Sequence, residues 1–377
     1  MSPVLETHTR CEPNDELHDA WSQLARTPFE HPDWLLTWWE HFGSNGASSD
    51  SALLIVVERN ESGQICAIAP LYRQGSNLRL LGDGTTCSDH QQLLIGDADK
   101  LRTAKFVESL AELPEFSQCC LSLESIDCAS ATATALEQCS NVVTLTSKSI
   151  GSAYVDLGSD WESYLASLSK NHRKRCRRWW RKHFETDAVQ RISTRHGWNK
   201  QSAMQTLTSL HKQRRSALEE SETDSFSDPR YVAFLTDAFN RLSCRSVTTA
   251  TGVSKPMAEI SGLLVNEKVI AAEFELHSAS HVAAYQSGMS PEHVSDSIGS
   301  VSVLSRMRSA IEDGQVIYDF GRGLEEYKFH WGSIALEATD YRVWPATVRG
   351  RVRSSSQQVL QTAKHVARFA RDLVLAK

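Results

Sequence analysis

The sequence predicts an α+β fold of mixed sheets flanked by helices, laid out as two similar halves. Three observations carry the prediction. Ser261–Val265 and Val269–His277 are β-rich runs joined by the polar Asn266-Glu267-Lys268, which marks a hairpin. A strand, a helix and a second strand follow at 281–288, 297–312 and 316–320. An earlier stretch, 53–124, repeats much of this order, with a hairpin, a short strand, a helix and a strand.

The elements follow in chain order. Leu17, Trp21 and Leu24 are spaced for a helix over 15–26. Pro32 and Asp33 suit a first helical turn and Gly43 a stop, so 31–43 reads as a helix with Trp34, Leu35, Trp38, Trp39 and Phe42 on an aromatic core face. Leu53–Val57 and Ile65–Ala69 are strands around the turn Asn60–Gly63. Leu78–Gly82 is a short strand, followed by a helix near 99–113 and a strand at 119–124. The Ser-, Thr- and Ala-rich stretch 125–150 ends the first half, so the halves are expected at 1–150 and 151–350, with an amphipathic helical tail at 351–377.

The second half opens with the strand Tyr154–Leu157 and an unusual helix, Trp161–Phe184. Trp161, Tyr164, Leu165, Leu168, Cys176, Trp179, Trp180 and His183 are spaced for its buried side. Lys170, Arg173, Lys174, Arg175, Arg177, Arg178, Arg181 and Lys182 surround them. In a chain of net charge −6, such a local cluster points to an anion: cofactor phosphates, an anionic glycan or RNA. The competing reading is a solvated face. Helices at 198–216 and 226–242 complete the lead-in to the hairpin.

The 297–312 helix has apolar positions Ile298, Val301, Leu304, Met307 and Ile311, and Gly314 stops it. Its start, Ser297-Ile298-Gly299-Ser300-Val301, presents free amides suited to phosphate. Asp319-Phe320, Arg322-Gly323, Tyr327-Lys328 and Trp331-Gly332 then follow. On these residues and this strand order, the chain resembles the GNAT acyltransferases. Within them it is similar to the acetyltransferases associated with bacterial cellulose and exopolysaccharide biosynthesis, themselves similar to Fem-type peptidyltransferases. The resemblance extends to Pro32-x-Trp34-Leu35, Trp38-Trp39 and Phe42-Gly43, and to Ser169-Lys170, Arg173 and Arg177-Arg178. Leu210-His211 and Arg214 also match, although Arg215 stands where the subgroup has Trp. It covers residues 30–350. The usual phosphate loop is reduced here to Ser297-Ile298-Gly299-Ser300.

The resemblance implies a GNAT-like acyl-CoA N-acyltransferase fold, with acetyl-CoA or another acyl-CoA as co-substrate and no metal. Acyl transfer from a thioester requires a polarised carbonyl, a deprotonated acceptor and a protonated leaving thiolate. Tyr285 and Gln286 are expected to pair with the donor, and Ser297, Gly299, Ser300 and Val301 to hold its pyrophosphate. Glu273 and Glu275 alternate on one strand face, where one would serve as base unless that face is only solvated. Asp319 and Arg322 lie at a strand end, Tyr327 is the candidate acid, and Lys328 an anion-binding candidate. Arg173 and Arg177 are candidate acceptor-binding residues. Asp89 and His90 are candidates for lining a cleft between the halves, although neighbours on a strand would point apart.

Three functions compete: a CoA-dependent acyltransferase acting on a glycan or amine in a polysaccharide or cell-envelope pathway, a Fem-like aminoacyl-tRNA-dependent transferase, and an inactive scaffold. The first is favoured, because no sustained heptad run supplies the coiled-coil arm common in Fem-type enzymes and the polar strand-end residues remain. Nine irregularly spaced cysteines form no disulfide or zinc pattern, no signal peptide is evident, and no run of about 20 apolar residues occurs. A cytoplasmic location is therefore expected.

Overall fold

The computed structural model describes residues 5–43, 51–86, 88–96, 100–217 and 224–359. The first half supplies β1 (Leu5–His8), β2 (Ser51–Arg59), β3 (Ile65–Gln74), β4 (Asn77–Leu80), β5 (Leu94–Ile95), β6 (Cys120–Asp127) and β7 (Val142–Lys148). Its helices are α1 (Glu16–Leu24), α2 (Pro32–Trp38), α3 (Lys100–Ala111), α4 (Pro114–Gln118) and α5 (Ala131–Gln138). Next come β8 (Ser152–Asp156), α6 (Trp161–Ser167), α7 (Lys170–His183), β9 (Gln190–Ser193), α8 (Lys200–Ala217) and α9 (Pro229–Leu242). A short β10–β11 hairpin (Ser246–Thr248, Ser254–Pro256) leads to β12 (Ala258–Val265), β13 (Lys268–His277) and β14 (His281–Met289). The chain continues through α10 (Ile298–Glu312), β15 (Ile317–Arg322), α11 (Glu326–Phe329), β16 (Ile334–Leu336) and β17 (Ala338–Pro345).

Two sheets result. The first runs β1-β2-β3-β4-β6-β17-β7, with β5 on β3, and the second runs β16-β8-β15-β14-β13-β12-β9. Their centres repeat one pattern. Antiparallel β2-β3-β4 meets β6 in parallel, and antiparallel β12-β13-β14 meets β15 in parallel. In each sheet an antiparallel strand then flanks the parallel pair: β17 beside β6, and β8 beside β15. One strand thus crosses between the halves. The last strand lies within 151–350 in sequence but belongs to the first sheet, while β8, just past residue 150, belongs to the second.

Local chemistry explains the elements. The β12–β13 hairpin turns on Asn266 and Glu267, both left-handed, at φ 46° and 63°, the geometry of a tight two-residue loop. α8 lies close on β14 because position 288 is glycine: a Cβ there would stand 2.4 Å from the His211 backbone nitrogen. The basic segment differs from the single helix expected over Trp161–Phe184. It breaks at Leu168, whose ψ of 155° is extended, and Ser169 then caps α7. The apolar spacing runs across this break, which hides it from periodicity. Only the first part of the expected tail helix, 351–359, falls among the described residues, and Leu360, Val366, Phe369 and Leu373 lie outside them.

One core, built around Trp21, Trp34, Phe234, Phe239 and Phe274, fills the space between the sheets together with α8 and α9. Another packs α6, α7 and α10 on the far face of the second sheet. The second sheet therefore has one face toward the first half and one toward α10. Among the described residues, no helix is long and apolar enough to cross a membrane.

Candidate functional site

β14 and β15 are paired only over His281–Ala283 and Ile317–Asp319. Beyond Ala283 and Asp319 they separate, β14 staying with β13 and β15 leaving for α11. The parting strands expose polar backbone that a substrate chain can pair with. Just past the parting, β14 carries a bulge: Phe274 faces Gln286 and Glu275 faces Ala284, leaving Tyr285 without a partner in the β13 register. The Tyr285 side chain points away from α10, its hydroxyl donating to the Thr86 carbonyl at 2.5 Å and its ring packing on Phe29 and Trp34. Gln286 Nε2 donates to the Tyr231 hydroxyl at 2.8 Å. Both anchor β14 by side chain, so their backbone is what the cleft receives.

α10 starts beside the end of β14. Ser297 is left-handed (φ 59°), and Val301 N–H closes the first helical turn on the Ser297 carbonyl at 3.0 Å. The amides of Ile298, Gly299 and Ser300 come before that bond and aim out of the helix start. Gly299 lies so near the Met289 sulfur that a Cβ would stand 3.1 Å from it. Asp296, just before this start, pairs with Lys182 of α7 at 3.1 Å. The basic helix therefore reaches the N-terminal end of α10.

The structure brings Asp89, His90, Asp319 and Arg322 together across the halves. His90 Nε2 lies 2.6 Å from Asp319 Oδ2, and Gly321 N–H donates to Asp319 Oδ1 at 2.8 Å. Asp89 accepts from the Arg322 backbone N–H at 2.8 Å and from Arg322 Nε at 3.1 Å. The expectation that Asp89 and His90 would point apart fails for a local reason: His90 is left-handed (φ 60°), which breaks strand alternation. Burial alone would lower the His90 pKa, but the Asp319 carboxylate, by charge and hydrogen bond, holds it up at about 9. Asp319 is correspondingly depressed: burial raises it, and the charge of His90 with the hydrogen bonds from His90 and Gly321 together more than offsets burial.

Beside this pair a cavity of about 260 Å³ opens between the halves. Pro28, Phe29, Leu276, Ala283, Ile317 and Leu336 make its apolar wall, and Thr27, Tyr154, His90, Asp319 and His281 supply its polar groups. His281 was missed in the sequence, where it reads only as the first residue of a strand. Its Nδ1 lies 2.6 Å from the Ser280 hydroxyl. Burial lowers its pKa against the pull of Asp319, leaving it neutral at pH 7. The available signal was its place at the start of the strand that carries the bulge.

Other candidates lie elsewhere. Glu273 and Glu275 share a face as expected, but that face is buried under α10 and not solvated. Glu273 accepts from the Tyr318 hydroxyl at 2.8 Å, a tie that spans β14. Glu275 is locked to buried Arg306 by two hydrogen bonds, one of 2.6 Å from Nε, which removes it as a base open to substrate. Lys328 is 2% exposed and spends its ammonium on the carbonyls of Gly321, Arg322 and Gly323, at 3.2, 2.9 and 2.9 Å. It holds the turn after β15 and has no donor left for an anion. Tyr327 is 51% exposed, stands against Phe320, and is pushed up to about 12 by burial and the charge of Glu325. Arg173 and Arg177 tie α7 to α6, through the Ala166 carbonyl at 3.1 Å and Glu162 at 2.7 Å. Among the described residues, Lys174, Arg175 and Arg178, like Lys170, Arg173 and Arg181, form no ion pair, and Arg175 lies over the Trp179 ring at 5.8 Å. Also among the described residues, no group of three or more His, Cys, Asp or Glu is placed to hold a metal.

Comparison with known proteins agrees with this geometry. Residues 170–329 match the family described as Acetyltransferase (GNAT) domain. The fold is similar to the crystal structure of FemX, with TM-score 0.62 and 10% identity over 89% of this chain and 96% of that one. It is also similar to a conserved protein of unknown function from Bacteroides thetaiotaomicron, with TM-score 0.51 and 10% identity over 90% of this chain and 100% of that one. A comparison with curated proteins found no match. Residues 170–329 thus resemble a GNAT acetyltransferase domain, and the chain has the GNAT fold.

Proposed function

We propose that the protein transfers an acyl group from acyl-CoA to an amine or hydroxyl acceptor. The observation that carries this reading is the juxtaposition of the β14–β15 parting, the Tyr285 bulge and the open start of α10. The first-turn amides of α10 would receive the pyrophosphate, and the parting strands the pantetheine arm. The bulged backbone at Tyr285 and Gln286 would donate to the thioester oxygen as negative charge develops there.

The acceptor would lose its proton to water as its nitrogen or oxygen attacks the acyl carbon. The carbon–sulfur bond breaks as the new bond forms, and Tyr327 would return a proton to the leaving thiolate. His90 and Asp319 act as positioning residues: their pair joins the halves and sets the field around His281. The resemblance to the polysaccharide-associated subgroup supports a polysaccharide or cell-envelope pathway.

A second reading, an aminoacyl-tRNA donor, is favoured by one observation, the unpaired cations Lys174, Arg175 and Arg178 on α7. Thermal or chemical unfolding with acetyl-CoA, CoA and tRNA separates the two. A ligand at a hundredfold its dissociation constant adds about 2.7 kcal/mol of stability. Stabilisation by the CoA compounds is expected; stabilisation by tRNA alone would replace the first reading with the second.

A further inference from the structure

A second cavity, of about 340 Å³, lies between the end of α10 and the β9–β12 edge of the second sheet. It is separate from the β14–β15 cleft. Asp313, in its wall, stands 14 residues beyond Gly299, about 21 Å along α10, and β13 lies between β12 and β14. We infer that this cavity is a ligand site for a small zwitterion, its ammonium held by Glu259 and its anionic group by Arg195 and Lys255.

Two charge imbalances face each other there. Arg306 is matched by Glu275 at 2.6 Å, and Arg191 by Glu312 at 3.6 Å. Asp313 takes two cations, Lys255 at 2.7 Å and Arg195 at 3.2 Å, one positive charge more than it neutralises. Glu259 is left without a cation. It is 3% exposed, and among the described residues it makes no hydrogen bond and no ion pair with Arg195, Lys255 or Arg306. His277 Nε2 lies 3.6 Å from it, beyond hydrogen-bond reach and itself without a partner among the described residues. Burial, with the charges of Lys255 and Arg306, keeps that ring neutral, so it brings no positive charge. A buried carboxylate without a donor is costly, and the cavity is the side from which a donor can come.

These imbalances select the ligand. An ammonium brings three charge-assisted donors to Glu259. A simple cation would leave the surplus on Arg195 and Lys255 unmatched, and a simple anion would be repelled by Glu259. A molecule carrying both charges answers both. The volume sits at the small end of the roughly 300–1,000 Å³ range of ligand pockets, which limits the occupant to a few carbons.

The test titrates the protein by calorimetry with glycine, β-alanine and γ-aminobutyrate, and with butylamine and butyrate as single-charge controls. At least one amino acid is expected to bind tenfold or more tightly than either control. Glu259→Gln and Arg195→Gln should each weaken it at least tenfold, and Ser309→Leu, which fills the cavity from α10, should abolish it. Glu259 has no partner to lose, so Glu259→Gln should keep or raise the urea midpoint of the ligand-free protein. Saturating CoA should leave amino-acid affinity within twofold. The inference is overturned if no amino acid binds, if a control binds as tightly, or if Glu259→Gln binds as the parent does. A lowered urea midpoint in Glu259→Gln overturns it too, because neighbours would then already satisfy the carboxylate. So does competition with CoA, which would place the amino acid in the transfer cleft.

Discussion

Replacing His90 with Gln tests the pair that joins the halves. In the native state Asp319 holds His90 at about 9, whereas an unfolded histidine titrates near 6.5. Between these values the folded protein binds more protons than the unfolded one, so stability from this group is complete below about 6.5 and is lost as pH rises through 9. At pH 7 the linkage amounts to roughly 2–3 kcal/mol, and by pH 10 it is close to zero. Asp319 runs in the opposite sense: its depressed value gives stability above its unfolded pKa, lost as pH falls through the folded one. The 22% exposure of the His90 side chain leaves the pair only lightly screened. Urea unfolding from pH 6 to 10 should show the parent losing this increment across the range, whereas His90→Gln starts lower by about 2 kcal/mol and stays flatter. NMR of histidine-labelled protein supplies the site itself, because the His90 resonance is the one the variant lacks. A His90 midpoint at or below 6.5 in the parent, or parallel pH profiles for parent and variant, would refute the reasoning.

Three further outcomes follow from the same geometry. Glu275→Gln should cost about 3–5 kcal/mol in chemical unfolding, because it strands the buried Arg306 charge, while leaving the pH profile of transfer unchanged; a shifted profile would return Glu275 to the base role. Gly299→Glu should fold, since its Cβ meets only the end of the flexible Met289 side chain, yet lose CoA affinity at least tenfold by placing a carboxylate over the α10 amides; unchanged CoA titrations would move the donor site elsewhere. Changing Lys174, Arg175 and Arg178 together to Gln should leave acetyl-CoA-dependent transfer within twofold. Salt-sensitive tRNA binding by the parent, with a log–log slope reduced by about 2–3 in this variant, would support the aminoacyl-tRNA reading.

Local pattern made the hairpins and the 281–320 unit legible, because period-two runs and glycine stops act over a few residues. The Ser297 helix start and the Asp319–Arg322 strand end were readable for the same reason. Tertiary closure was not. Lys328 reads as a surface cation until the chain folds back and sets three carbonyls around it. Glu273 and Glu275 show a shared face in sequence, but only α10, arriving from 25 residues later, decides that it is dry. The Asp89–His90 cluster depended on one left-handed residue that strand alternation does not anticipate. His281 gained chemical meaning only when Asp319 and the 28–29 segment closed around it.

The crossing of β17 bears on how the chain comes into being. β7 meets the first sheet only through β17, and β17 is synthesised almost 200 residues later. Until then the first sheet has an open seam beside β6 and a loose strand waiting for its neighbour. A ribosome that stopped before residue 338 would release an unpaired edge prone to self-association, not a smaller working unit. The crossing also opposes simple hinging: opening the cleft would mean pulling on β17, which follows the second sheet in sequence yet lies in the first. Substrate entry on this scaffold is therefore expected to use the gap that the backbone already holds open between β14 and β15.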